Sequence, residues 1–319
     1  MNWIEKHLKA LKWTVVALAY AFLLYKLLVF DDYELLTTQW KESTSMRWWW
    51  LTVVLLLLPL NWALEAIKWK TLLIHLEKIS FIKALKSVLV GITAGFFTPN
   101  RLGEYPGRTL LLSNGNRLSA MELGFVGTAA QTLCILMAGL PSAAIFFIHF
   151  AQPFSFSPSL WIYFLLSVVV FGVGFFILPT VAKRLLSRKT FGIKLTQLLQ
   201  SLAQLSFKQM FRILFLSLLR YVVFCSQLLA MLHFFGIDIV LHKASIAIAA
   251  NYLFVTLTPS MAFSEVAVRG SFAIVFLGAF SANTVAIASA SISLWVVNYC
   301  LPMLAGSFLL ASLKNKKLV

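Results

Sequence analysis

The chain has 319 residues and a mass of 35.8 kDa, with 60% hydrophobic residues, only 12% charged residues and a mean hydropathy of +0.87. A water-soluble domain of this size cannot hide so much apolar surface, so a soluble enzyme and a disordered regulator are excluded and an integral membrane protein is expected. Lys and Arg outnumber Asp and Glu 27 to 11, a formal charge of +16; in a membrane chain this excess reads as loops facing anionic lipid, with no nucleic acid as partner.

Apolar runs near the length that crosses a bilayer, about 20 residues, fall at 12–30, 47–67, 118–148, 159–180, 211–235 and 283–311. The first follows Lys6, Lys9 and Lys12, as the core of a signal peptide does. The A-x-A spacings at Ala17–Ala19 and Ala19–Ala21 fall in mid-span and the run continues through Phe30, so an uncleaved first helix is expected. The Lys/Arg distribution then sets orientation. The basic N-terminus reads as cytoplasmic and the 31–46 loop, with Asp31, Asp32, Glu34 and Glu42, as external. Trp48, Trp49 and Trp50 open the second span and Trp69 closes it, as an aromatic belt does. Lys26 and Glu65 lie near span ends and read as interfacial. The 68–86 loop, with Lys68, Lys70, Lys78, Lys83 and Lys86, reads as cytoplasmic.

For the 118–148 span to end outside, the chain between 87 and 117 must start and finish on the cytoplasmic side. It is broken by Gly91, Gly95, Pro99, Gly103, Pro106 and Gly107, which favours a re-entrant hairpin over two full crossings. The 181–212 loop carries seven Lys or Arg and no acid, so it reads as cytoplasmic. Within it, Leu195, Leu198, Leu199, Leu202 and Leu205 recur at helical spacing, and 191–212 is expected to be an amphipathic helix on the inner leaflet. Arg220 sits about two turns into the next span and shares a face with Gln227; it either joins a polar site or snorkels to the surface. The segment 243–281, broken at Pro259, mirrors the first hairpin from the outside. Lys314, Lys316 and Lys317 make the C-terminus cytoplasmic too. The expected fold is an all-α polytopic membrane protein with about six full spans and two re-entrant hairpins. If the hairpin arms cross fully, the count is ten.

The two breaks resemble each other. One reads Thr98-Pro99 with Glu104 and Arg108 following; the other reads Thr258-Pro259 with Glu265 and Arg269 following. The Thr-Pro pairs lie 160 residues apart and each Arg is four residues after its Glu. Two spans, a hairpin and one span recur in each half, so residues 1–150 and 151–319 are expected to be inverted-topology repeats, a plan that puts binding sites at interrupted segments. Ionisable groups at mid-membrane must be paired or wet. Either Glu104–Arg108 and Glu265–Arg269 lock each hairpin, or they line a polar cavity in which Arg101, Arg108 and Arg269 hold phosphate.

Cys134, Cys225 and Cys300 lie in apolar runs and the five histidines are scattered, so neither a disulfide framework nor a metal site is expected. The chain has no GxxxxGK[ST], GxSxG or SxxK. No cofactor is expected, and transport would be passive, ion-coupled or driven by a partner.

Arg101-Leu102-Gly103-Glu104 after Thr98-Pro99, with Arg108 following, resembles the proline–arginine–glycine–glutamate–arginine signature of the lysylphosphatidylglycerol synthase transmembrane-region family, also called flippase-like domain proteins. Lys68-Trp69-Lys70-Thr71-Leu72-Leu73 resembles its basic-tryptophan-leucine-leucine element, and Glu265 near a proline turn resembles its second signature. The resemblance covers essentially the whole chain and implies a bacterial inner-membrane protein that moves phospholipid between leaflets. Its best-known members move aminoacylated phosphatidylglycerol and carry a soluble aminoacyl-transferase domain after the flippase. Here the chain stops at Val319, so the resemblance carries no synthase activity over and a non-enzymatic role is expected. The next span offers only Thr128, Gln131 and Thr132 where the family often has charges, and Ser260-Met261-Ala262-Phe263-Ser264 stands where it often has glycines; both departures bear on the substrate.

The expected function is a lipid flippase whose head-group site is Arg101, Glu104, Arg108, Arg220, Glu265 and Arg269, between tips at Thr98-Pro99 and Thr258-Pro259. Its partners would be anionic or aminoacylated phospholipids, with a second copy of the chain or a lipid-synthesising protein beside it. Two rivals stay open: an intramembrane lipid-modifying transferase with Glu104 or Glu265 as base, and an ion-coupled small-solute transporter.

Overall fold

Long apolar runs in lipid fold as helices, because the backbone must satisfy its own polar groups there. The computed structural model describes residues 47–96, 98–150, 158–188, 192–260 and 262–312, and among these it has helices and no strand. Five stretches are long and apolar enough to cross a bilayer: Trp48–Leu72, Asn114–His149, Ile162–Arg188, Phe207–Phe234 and Thr284–Ser312. They coincide with the five runs expected between 47 and 311. The chain is an all-α polytopic membrane protein. The expected first span at 12–30, Lys26, the acidic 31–46 loop and the lysines of the tail lie outside the described residues.

In chain order, α1 (Trp48–Leu72) leads to α2 (Phe81–Phe96), a short turn at Pro99–Arg101 and the six-residue α3 (Glu104–Thr109). Then come α4 (Arg117–His149), α5 (Pro158–Arg188), α6 (Ile193–Ala203) and α7 (Phe207–Phe234). The second interrupted segment is α8 (Leu241–Leu257) and α9 (Ala262–Leu277). The last span is α10 (Thr284–Trp295), a π-helical turn at Val296–Cys300, and α11 (Leu301–Ser312).

Both interruptions have one local cause. A residue before proline is driven out of the helical region by the proline ring. Thr98 sits at φ −112°, ψ 146° and Thr258 at φ −87°, ψ 115°, both extended. Thr258 closes α8, its Oγ1 donating to Phe254 O at 2.8 Å. Two sequence expectations change here. The first interrupted segment begins at Phe81 instead of 87, because Ser80 Oγ accepts the Lys83 N–H at 3.2 Å and starts the helix. The amphipathic stretch is shorter than 191–212. Ser206 and Gln209 form a reciprocal capping box that starts α7, so Lys208 and Arg212 belong to that span.

The loop between α1 and α2 is tied to the loop after α3. Glu77 accepts from Lys83 Nζ at 2.8 Å, from Ser113 N and Oγ at 3.0 and 2.9 Å, and from Asn116 Nδ2 at 3.3 Å. Partial burial works to raise its carboxyl pKa, but these donors outweigh it and hold the group at about 2.

The spans interlock. Helix α1 packs along α7, α2 against α11, and α8 against α4. The last two contacts rest on single glycines. A side chain at Gly306 would run into Leu89 O and Thr93 Oγ1 of α2, and one at Gly139 of α4 would come within 2.7 Å of Leu253 Cβ of α8. Without a Cβ the backbones approach closely enough for Thr93 Oγ1 to donate to Met303 O at 2.9 Å. Among the described residues two large apolar cores result, with two small clusters beside them. One gathers Val54 with the far halves of α4 and α7, plus α8, α9 and α10. The other gathers Ala66, Trp69 and Leu72 with the near halves of α4 and α7, plus α2, α5 and α6. Along α1 the polar residues Asn61, Glu65 and Lys68 fall where one core gives way to the other.

Candidate functional site

Asn61, Glu65 and Lys68 are spaced by four and three residues, so they share one face of α1, and that face is buried. Glu65 is the hub. Its Oε1 accepts from Arg108 Nη1 at 2.6 Å; its Oε2 accepts from Lys68 Nζ at 2.8 Å and from Arg220 Nη1 at 2.7 Å. Arg108 also pairs with Glu104 through Nη2. Helix α3 carries that pair although it contains Pro106. The proline is the third helical residue, where its missing N–H leaves no bond unmade, so the expected break between Glu104 and Arg108 does not occur. The close approach of α2 and α3 also needs glycine: a Cβ at Gly107 would meet the Gly91 Cα at 3.0 Å.

A second cluster forms around Glu265. Arg269, one turn on, donates to its Oε1 through Nε at 2.9 Å. Arg101, from the other interrupted segment, donates through Nη2 to both Glu265 oxygens at 2.6 and 2.7 Å. Both guanidinium groups also lie over the ring of Tyr299, Arg101 at 3.6 Å and Arg269 at 5.0 Å from its centroid. Beside this contact the two breaks touch directly: Asn100 N donates to Ser260 O, and Ser260 N donates to Asn100 Oδ1, both at 3.0 Å. Asn100 and Arg101 hold left-handed backbone, φ 47° and 58°, a region that non-glycine residues occupy at a cost.

A chain of buried amides leads from the first cluster to Asn298, the chain neighbour of Tyr299. Arg220 Nε donates to Asn61 Oδ1 at 2.8 Å, Asn61 Nδ2 to Asn298 Oδ1 at 3.3 Å, and Asn298 Nδ2 to Gln227 Oε1 at 3.0 Å. Asn298 and its neighbour Tyr299 lie in the π-helical turn, where Leu301 N reaches back five residues to Val296 O. Such turns displace side chains from the regular helical register.

The structure therefore brings all six expected site residues into two adjoining clusters and puts both tips in contact. It also corrects three readings, on Glu65, Lys68 and Trp69, and decides between the two alternatives for Arg220. Glu65 is 3% exposed and is not interfacial. Lys68 is 2% exposed and is no loop charge. Trp69 is buried and lies beside Arg108, 5.6 Å from ring centroid to guanidinium carbon, so it is not part of a belt. Arg220 does not snorkel; it turns inward to Glu65 and Asn61. Sequence reasoning missed Asn61, Glu65, Lys68, Asn298 and Tyr299. The first three carried a usable signal, polar residues at helical spacing inside an apolar run. In ordinary charge states three carboxylates, Glu65, Glu104 and Glu265, face five cations, Lys68, Arg101, Arg108, Arg220 and Arg269.

The sequence model of the family described as lysylphosphatidylglycerol synthase TM region matches residues 10–306. No curated protein and no solved structure matches the chain.

Proposed function

The chain belongs to the lysylphosphatidylglycerol synthase TM region family, and from that membership we propose that it is a lipid translocator of a bacterial inner membrane, carrying phospholipid head groups between leaflets. The observation that carries this reading is the contact of two helix breaks beside a layer of eight paired charged side chains, of which Glu65, Lys68, Arg108 and Glu265 are buried and the rest half-buried. Each charge at mid-bilayer costs about 2.5–3.5 kcal/mol on insertion scales. A fold that keeps so many gains a surface able to replace the hydration of a head group while acyl chains stay in lipid. Arg101, Arg108, Arg220 and Arg269 supply forked donors for phosphate, and Glu104 and Glu265 keep them oriented.

The two halves, 1–150 and 151–319, act as inverted repeats whose interrupted segments enter and return on opposite faces. Arms of 16 and six residues in one segment, and of 17 and 16 in the other, support re-entry because full crossings take about 20. The crossed packing of α2 on α11 and of α8 on α4 supports the same plan. Both termini are cytoplasmic on the Lys/Arg count. The role is transport and not group transfer.

Full-length protein in vesicles containing a fluorescent phospholipid tests the reading. Wild-type protein should expose inner-leaflet dye to an impermeant quencher, and Glu104→Ala or Arg269→Ala should slow this at least about tenfold, the worth of one charge-assisted hydrogen bond. Wild-type exchange no faster than that of empty vesicles would sink the translocator reading. Unaltered exchange in both folded variants would sink the site.

A further inference from the structure

One carboxyl group of the spanning helices takes no part in the charged clusters. Glu122 lies in the second turn of α4 and is half-buried. Leu118, four residues before it, and Phe125, three after, share its side of the helix and are 43% and 52% exposed. On a spanning helix such exposed apolar side chains face lipid. Helix α6 packs there on α4 and α5, with Leu199 and Leu202 in the shared core.

The polar contact between α4 and α6 has one hydrogen too few. Ser201 Oγ of α6 is buried and lies 2.8 Å from Glu122 Oε2 and 2.8 Å from Leu198 O. A hydroxyl has a single hydrogen to give. With Glu122 ionised, both neighbours are acceptors and one of the two contacts holds no hydrogen. With Glu122 protonated, its O–H donates to Ser201 Oγ and the Ser201 hydrogen goes to Leu198 O, so each contact is a bond.

The surroundings of Glu122 supply no substitute for that proton. Glu65, Glu77, Glu104 and Glu265 each pair with Lys or Arg; among the described residues Glu122 pairs with none. The groups on the elements packed around it are bonded elsewhere or exposed. Lys68 and Arg108 bind Glu65, Tyr105 donates to Thr128, Arg117 Nη2 donates to Leu110 O, and His75 is bonded to Gln209. Lys70 of α1, Lys183, Arg184 and Arg188 of α5, Lys194 of α6, and Lys208 and Arg212 of α7 are exposed. Helix α8 meets α4 only at its far half. An ionised carboxylate offers about four acceptor positions. Here one hydroxyl serves it, on a face where an unpaired charge is disfavoured.

We propose that Glu122 is a proton-binding site that works as a latch: protonated, it bonds α6 to α4, and ionised, it turns to water and releases α6. The latch stands apart from the translocator reading and holds whatever the protein carries. Its closed form is the one present at lower pH.

Two measurements on the full chain in vesicles test it. Dicyclohexylcarbodiimide modifies protonated carboxyls in apolar surroundings and spares ionised ones. At about pH 7, where an ordinary glutamate is ionised, peptide mass mapping should find Glu122 modified at least about tenfold more than Glu77, which its donors hold ionised. By about pH 9 the modification should fall at least about tenfold. Modification of Glu122 no greater than that of Glu77 at about pH 7 would overturn the proton site. The second measurement reads the latch. Spin labels at Met137→Cys of α4 and Gln197→Cys of α6, both exposed positions, are placed in a chain with Cys134, Cys225 and Cys300 replaced. Their distance distribution should lengthen or broaden between about pH 6 and about pH 9. In Glu122→Gln, whose amide keeps a donor for Ser201 at every pH, the distribution should stay in its low-pH form. A distribution that is the same at both pH values with Glu122 present, or that shifts equally in Glu122→Gln, would overturn the latch.

Discussion

Glu65 balances three buried cations with two oxygens, Lys68 and Arg220 on one and Arg108 on the other. Removing one partner of a buried ion pair leaves an uncompensated charge, which costs about 3–5 kcal/mol. Glu65→Ala should therefore lower the thermal midpoint in detergent far more than Lys68→Met, which leaves the carboxylate two partners. The reverse ranking would show that Glu65 is not the hub. The two repeated Glu-x3-Arg pairs were legible in the sequence because they recur in an apolar background. Glu65 was not, because a charge near the end of an apolar run is cheap if it faces water, and only the continuation of α1 to Leu72 takes it inside. The partner of Arg101 was also hidden. Glu265 lies 164 residues away, and no local spacing encodes that contact.

At the scale of elements, the breaks were readable from Thr-Pro, since proline acts on the residue before it. The π-helical turn was not read, because Val296–Cys300 itself contains no Pro or Gly; Pro302, two residues beyond it, has no N–H to give the Asn298 carbonyl. The glycines were readable as punctuation, and the structure gives some of them a different task. Gly306 lets α11 lie on the backbone of α2, so Gly306→Ala should destabilise the protein by about 1–3 kcal/mol through overpacking. Gly174 in α5 meets nothing within 4 Å of an added Cβ. Gly174→Ala should be neutral or raise stability by up to about 1 kcal/mol, since glycine weakens a helix interior. Thermal unfolding of the two variants side by side checks the contrast; equal shifts would contradict the close approach.

At the scale of the molecule, the fold class and five of the spans were legible because lipid demands long apolar helices. The way the spans interlock was not, since packing partners depend on which small residues face each other. The only backbone link between the two interrupted segments runs, among the described residues, from Asn100 to Ser260. If lipid passage requires the halves to part there, a disulfide between Asn100→Cys and Ser260→Cys should stop exchange and a reductant should restore it. The background would have Cys134, Cys225 and Cys300 replaced. Exchange that continues in the oxidised protein would place the moving surface elsewhere.

The left-handed turn at Asn100 and Arg101 gives that junction a mechanical character. Non-glycine residues in this region carry about 1–3 kcal/mol, least for asparagine, held here by the Ser260 bonds and the Arg101–Glu265 contact. The tip is a cocked spring: the bonds that close it are opposed by the backbone that makes them. Parting the tips relaxes the chain as it breaks the contacts, so the closed and parted forms lie nearer in free energy than the contacts alone would set them. On the translocator proposal, such a junction would let the protein cycle without a large climb in either direction.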